Sequence, residues 1–91
     1  MRFPLIYDAT TTREDFVRLL PQATGGAEFR EIDDRFCGGG WSVCLTRIPP
    51  LEIGMFRLER YRVEIEFDGL SAAEQESFMQ RFTLYYQRGG G

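Results

Sequence analysis

The sequence predicts an α+β fold, a two-layer sandwich in which an antiparallel sheet of about four strands carries two helices packed on one face. Three observations predict it: one segment alternates apolar and charged residues, two segments repeat apolar residues at helical spacing, and each helical segment begins with a capping motif. The expected order of elements is β-α-β-β-β-α. The 91 residues suit one domain, expected over 1–88, with a flexible glycine tail at 89–91.

A short strand is expected first, over 3–7. Its apolar residues alternate on one face, at Phe3, Leu5 and Tyr7. Pro4 has no N–H to donate to a neighbouring strand, so this strand is expected at an edge of the sheet. A turn at 8–12 then leads into the first helix.

The first helix begins near a threonine cap. Thr11 followed by Glu14 fits a capping box. Thr12 followed by Asp15 is an alternative frame for the same helix start. Pro21 disfavours helical backbone at the residue before it, so the helix is expected to end at about that point.

The stretch 27–37 allows two interpretations. Its apolar residues have helical spacing, at Phe29, Ile32 and Phe36. The alternative is a hairpin with strands at 28–32 and 35–37 and the two aspartates between them as the turn. We favour the hairpin, because the stretch is short and the glycine run at 38–40 leads directly into a strand. That run has no lysine beside it, so it is interpreted as a loop and not as a phosphate-binding cradle.

Two further strands are expected after the glycine run. The strand over 41–48 should end at the prolines 49–50, which cannot continue a ladder. The segment 51–59 is apolar but irregular, and a bulge or bend near 59–60 is expected to join it to the strand over 60–67. In that last strand four large apolar residues alternate with charged ones, so one face should pack on the core and the other should meet water: Tyr61, Val63, Ile65 and Phe67.

The second helix begins at a capping box formed by Ser71 and Glu74 and is expected to end at the glycine tail. Two adjacent tyrosines near its end cannot both face inward fully. Some aromatic surface is therefore expected to be exposed there, and tyrosine is enriched at protein interfaces. Tyr85, Tyr86 and Arg88 are the predicted protein interface.

The composition removes the common routes to catalysis and metal binding. The chain has no His and no Lys, and all eleven basic residues are Arg. Without His it lacks the usual general base at neutral pH and the commonest metal ligand. The only cysteines are Cys37 and Cys44. They could supply two ligands, whereas a zinc site needs four. We therefore expect no catalytic residue, no cofactor and no metal, and we interpret the protein as a non-enzyme.

The expected location is the cytoplasm of a bacterium. No apolar run approaches the roughly 20 residues that span a bilayer, and the start of the chain does not have the pattern of a signal peptide. The net charge of −3 gives no overall attraction for nucleic acid or for an anionic membrane.

The leading functional hypothesis is a non-enzymatic protein-binding or accessory module, with self-association as a homodimer included. One alternative is single-stranded nucleic acid binding through arginines next to Tyr61, with Arg57, Arg60 and Arg62 as the surface. A second alternative rests on the terminal glycines 89–91. They resemble the tail of ubiquitin-like sulfur-carrier proteins, which is activated at its carboxylate, and the resemblance implies a carrier role.

Overall fold

The computed structural model describes residues 4–26 and 28–87. These residues form two helices and one antiparallel sheet of five strands, which confirms the α+β class. The elements in chain order are β1 (Ile6–Thr10), α1 (Arg13–Ala23), β2 (Arg30–Ile32), β3 (Arg35–Cys37), β4 (Trp41–Ile53), β5 (Phe56–Phe67) and α2 (Ala72–Gln87). Across the sheet the strand order is β1-β5-β4-β3-β2.

The expected count of about four strands and the order β-α-β-β-β-α were one strand too low, although the favoured hairpin at 28–37 already implied the fifth strand. The hairpin interpretation of that stretch is confirmed: β2 pairs with β3, and β3 pairs with β4. Asp33 has a φ of 56° at the turn, a left-handed conformation that aspartate tolerates better than most residues. The helical spacing of the apolar residues in this stretch therefore did not decide its structure.

The first strand begins later than expected and lies at the edge of the sheet. It occupies Ile6–Thr10, so part of the predicted turn at 8–12 is strand. Pairing with β5 extends from Ile6 opposite Glu64 to Thr10 opposite Arg60. This long partner carries β1 beyond the point where the alternating apolar residues suggested an end. Phe3 lies outside the described residues.

The first helix is capped by Thr12, whose hydroxyl accepts a hydrogen bond from the Asp15 N–H at 3.1 Å. The alternative frame is thus the right one. The helix also continues past Pro21 to its end two residues later, contrary to the expected end. Thr24 stabilises this last turn, because its N–H and its hydroxyl both donate to the Leu20 carbonyl, at 3.0 and 2.8 Å.

The prolines at 49–50 do not end β4, contrary to expectation. These two residues lie opposite the single residue Glu59 of β5, and regular pairing resumes where Leu51 faces Leu58. This is a β-bulge, in which the ladder is already interrupted and a proline costs little. The bulge or bend expected near 59–60 is therefore not found in that segment: β5 is continuous over Phe56–Phe67, and the extra residue lies in β4, opposite Glu59.

Apolar side chains from the sheet and from both helices join in one core. Its buried members are Phe16, Leu20, Ala23, Phe36, Trp41, Val43, Leu45, Tyr61, Val63, Ile65, Met79 and Phe82. Aromatic contacts link α2 to the sheet and to α1: the ring centroids of Phe78 and Trp41 lie 5.4 Å apart, and those of Phe82 and Phe16 lie 6.3 Å apart. None of the described helices is long and apolar enough to cross a membrane.

The capping box of the second helix is confirmed. The Glu74 carboxylate accepts from the Ser71 N–H at 2.9 Å, and the Ser71 hydroxyl accepts from the Glu74 N–H at 3.1 Å. These hydrogen bonds hold the pKa of the Glu74 carboxyl below its ordinary value. A local sequence signal therefore determines where α2 begins.

Replacing the cap serine tests this contribution. We expect Ser71→Ala to lower the free energy of unfolding by about 1 kcal/mol, because the N–H of the first turn loses its acceptor. Urea unfolding followed by circular dichroism measures the change. Ser77→Ala, at an exposed position inside the same helix, is the matched control and should leave stability unchanged or raise it slightly. Equal stability of wild type and Ser71→Ala would contradict the capping role.

Candidate functional site: an apolar hairpin arm

The hairpin of β4 and β5 extends well beyond the rest of the sheet. The last partner of β1 on this hairpin is Arg60, and the pairing of β3 with β4 ends at Cys44. Residues 48–59, which we call the arm, therefore form a ribbon of only two strands. The molecule is correspondingly elongated, with extents of 45 × 27 × 19 Å.

The arm closes in a tight two-residue turn. Ile53 pairs with Phe56, so Gly54 and Met55 are the loop. Gly54 has a φ of 58°, which two-residue hairpin turns require and which glycine adopts at little cost. The turn places Met55 at the tip with its side chain fully exposed, at 100%.

The apolar face of the arm is opposite to the apolar face of the rest of the sheet. In the rest of the sheet, which we call the body, Tyr61 and Val63 of β5 are buried. Arg60 and Arg62 point outward, away from the core. No residue is inserted in β5, so alternation places Phe56, like every even-numbered residue of this strand, on the outward face with these arginines. The arm thus reverses the pattern of the body, and its apolar residues point away from the core.

The bulge in β4 gives both strands of the arm the same apolar face. Before the bulge the odd-numbered residues of β4 are the buried ones, such as Leu45 opposite Val63. The extra residue at 49–50 reverses the alternation, so the odd-numbered residues that follow lie on the outward face. The outward face of the arm then carries four exposed apolar residues, and Met55 adjoins them at the tip; together they form the arm patch: Leu51, Ile53, Met55, Phe56 and Leu58.

The arm patch is strongly exposed. Phe56 is 73% exposed and Ile53 is 57% exposed. Single exposed apolar residues are ordinary on protein surfaces, whereas a contiguous apolar patch of several hundred Å² marks an interaction site. Five neighbouring residues of this size meet that description, so the arm patch is the strongest candidate site among residues 4–26 and 28–87.

Charged residues that alternate with the arm patch occupy the other face of the ribbon. Arg47 pairs with Glu59 at 3.2 Å, and Arg57 lies 4.0 Å from Glu52. The ribbon is therefore amphipathic, with one apolar face and one face whose charges cancel. Pairs this exposed contribute little stability, and they keep the second face soluble.

The predicted interface at the end of α2 is partly packed into the core. The Tyr86 hydroxyl donates to the Phe16 carbonyl at 2.6 Å, and the two rings stack at 4.4 Å. Burial raises the pKa of the Tyr86 hydroxyl, and nearby Tyr7 raises it further. Tyr85 is half-buried beside a cleft of about 510 Å³. Arg88 lies outside the described residues, so this interface stays a prediction.

The arginines proposed for nucleic acid do not gather on one surface. Arg60 and Arg62 lie on the outward face and both contact Asp8, at 3.4 and 3.2 Å. Arg57 alternates with the arm patch and lies on the opposite face of β5, beside Glu52. Each of the three has a carboxylate nearby, so the geometry adds no support to this alternative. The glycine tail of the carrier alternative lies outside the described residues.

The cysteines and the glycine run belong to the hairpin of β3 and β4. Cys37 and Cys44 are free, half-buried thiols on the outward face. Gly38 lies directly against the Trp41 ring, where any side chain would clash, and Gly40 has a φ of 83°. The glycines therefore serve a tight loop. Residues 4–26 and 28–87 contain no cluster of three or more His, Cys, Asp or Glu that could hold a metal ion.

Comparison with protein-family models, with curated proteins and with solved structures finds no match to this chain. The geometry of the described residues is therefore the basis for its function. In that geometry the arm patch is the largest departure from an ordinary protein surface.

The sequence identified 51–59 as apolar, but it did not predict that these residues form an exposed surface. The signal was the alternation itself. Leu51 and Ile53 match Phe56 and Leu58 across a two-residue loop that contains glycine, which is the pattern of a hairpin. The strand ending expected at the prolines concealed that pattern.

The packed position of Tyr86 leads to a pH-dependent prediction. We expect Tyr86→Phe to lower the free energy of unfolding by about 1 kcal/mol at neutral pH, because the hydrogen bond to Phe16 is lost. The raised pKa means that the unfolded chain ionises this tyrosine first. Its stabilising effect is thus complete below about pH 10 and is lost as the pH rises further.

Urea unfolding from about pH 7 to about pH 11 measures both effects. The variant should lose stability less steeply than wild type above about pH 10. Tyr85→Phe is the control, since it keeps the Tyr86 contact. Equal slopes in wild type and Tyr86→Phe would contradict the packed position of this hydroxyl.

The exposure of the arm patch predicts a sharp contrast between two phenylalanines. We expect Phe56→Ala to change the free energy of unfolding by less than about 0.5 kcal/mol, because its side chain is already in water. Phe82, at 1% exposure, is the matched control, and Phe82→Ala should cost about 3–5 kcal/mol. Urea unfolding at low protein concentration, where association does not contribute, makes the comparison. Similar losses in the two variants would show that the arm is packed against the body.

Proposed function

We propose that this protein is a non-enzymatic protein-binding module that acts through the arm patch. The observation that carries the proposal is the exposed apolar surface formed by Leu51, Ile53, Met55, Phe56 and Leu58. These residues contribute nothing to the core of their own chain. A large, contiguous apolar surface that does not stabilise its own fold is the signature of a contact with another molecule.

The charge around the arm favours a protein over a polyanion. The four charged residues beside the arm patch are Arg47, Glu52, Arg57 and Glu59, and they cancel. Nucleic acid and anionic membranes select basic surfaces, because phosphate contacts supply most of the attraction. An apolar face on a ribbon whose other face carries no net charge instead suits a protein–protein interface.

We also propose that both helices cover the inward face of the sheet and leave the outward face open. Support comes from the core, which unites residues of both helices with the inward residues of β4 and β5. Outward residues such as Arg62 and Glu66 are exposed and take part in ion pairs. An uncovered outward face is continuous with the arm patch, so a partner has access from the open side.

Two further parts of the proposal concern chemistry and location. The absence of His and the carboxylates beside Arg57, Arg60 and Arg62 support a binding role without catalysis. The two free thiols, Cys37 and Cys44, suit a reducing compartment, and this supports a cytoplasmic location. The carrier and nucleic acid alternatives gain no comparable support.

Photo-crosslinking in the native cell tests the proposed function. A photoreactive amino acid in place of Met55 leaves the fold intact, because this side chain contacts nothing. The same group in place of Ile32, which is 53% exposed at the far side of the sheet, is the matched control. We expect discrete protein adducts from position 55 that position 32 does not give.

Adducts are identified by mass spectrometry, and an additional Phe56→Asp substitution should abolish those from position 55. The absence of any adduct above the level of the control, with the protein present at its normal amount, would refute the proposal.

A further inference from the structure

The arm has only two strands, and it needs a further contact on its apolar face to be stable. An isolated two-stranded hairpin is at best marginally stable in water and normally needs a third strand or a packed layer. Neither is present at residues 48–59, because β1 and β3 do not pair beyond Arg60 and Cys44 and the core cluster lies on the other face of the sheet. A molecule that covers the arm patch therefore stabilises the arm as well as binding to it.

Another strand cannot readily pair with the free edge of β4 in the arm. Prolines occupy both positions at 49–50 and remove two consecutive N–H donors. Edge prolines and bulges are the features by which proteins prevent another strand from adding to a sheet. The edge of β4 is therefore protected against strand addition, and the exposed apolar residues of the arm all lie in the arm patch.

The arm carries no net charge, so two copies of it do not repel each other. Two Arg and two Glu border the ribbon, so an identical ribbon brings no excess of either sign. In a two-fold contact the same surface occurs on both sides, and it must be compatible with itself. A neutral, apolar patch meets that condition, whereas a patch for an acidic or basic partner would carry the opposite charge.

The area of the arm patch also fits a dimer. Its five residues are exposed by between 36% and 100%. With about 200 Å² for a large apolar residue, they expose about 600 Å² per copy, or about 1,200 Å² for two copies. That value is at the lower limit for a specific interface between two proteins.

We propose that the occupant of the arm patch is the arm of a second copy of this chain. The two ribbons pack face to face about a two-fold axis, with Ile53 and Phe56 in the buried centre and the charged faces outside. The pair forms a small four-stranded, two-layer sandwich of the kind that stabilises antiparallel ribbons. This inference rests on the proposed function and specifies the partner.

Sedimentation of the purified full chain over a wide concentration range tests the inference. We expect a monomer–dimer equilibrium. Ile53→Asp and Phe56→Asp should each raise the dissociation constant at least about 30-fold, as loss of a central interface contact does. Ile32→Asp, an equally exposed isoleucine outside the arm, should leave the constant unchanged. Circular dichroism spectra that match wild type show that the variants are folded.

A second measurement locates the contact. In a sample that mixes isotope-labelled and unlabelled copies, filtered NMR spectra should show contacts between the Phe56 ring of one copy and the Ile53 methyls of the other. Contacts confined to the region of Tyr85 would overturn the arm-to-arm geometry. A dimer that persists unchanged in both Asp variants would overturn it as well.

Failure of this inference is distinguishable from failure of the proposed function. A chain that stays monomeric at every concentration refutes self-association. Adducts from position 55 with a different protein would then leave the proposed function standing. If position 55 gives no adduct with any protein, both are refuted.

Discussion

The pairing of β4 with β5 is the interaction on which the rest of the structure depends. These two strands pair from Trp41 opposite Phe67 to Ile53 opposite Phe56. On one side β5 holds β1, and on the other side β4 holds the short hairpin of β2 and β3. The inward residues of the pair, such as Val43 and Val63, supply the centre of the core. Because both strands outrun their neighbours, the same pairing also creates the arm.

One extra residue in this pairing separates the body from the arm. Without the bulge at 49–50, Leu51 would lie on the same face as Leu45, and the apolar residues of the two strands would point in opposite directions beyond it. With the bulge they lie together with Phe56, so the arm has one apolar face and one charged face. A feature that costs the ladder one regular pair thereby produces the surface on which the proposed function depends.

Local signals predicted the elements in which neighbouring residues interact with each other. The capping box at Ser71 requires only two residues three positions apart, and it was predicted correctly. The alternation over 60–67 predicted the strand with the buried face. The predictions failed at Pro21 and at 49–50, where a proline rule was applied without knowledge of the neighbours. Pro21 lies within the last turns of α1, and the prolines at 49–50 lie in the bulge opposite Glu59, so neither ends its element.

The segment 51–59 shows most clearly which features the sequence specifies and which features depend on the tertiary structure. The sequence by itself determined that this segment is apolar and that Phe56 and Leu58 fall on the face opposite to that of Tyr61 and Val63. Only the tertiary structure decided that the segment is a ribbon without a third strand, so that Met55 and Phe56 lie in water and not in the core. The physical reason is that alternation specifies which residues share a face, whereas burial depends on whether another layer is present to cover that face.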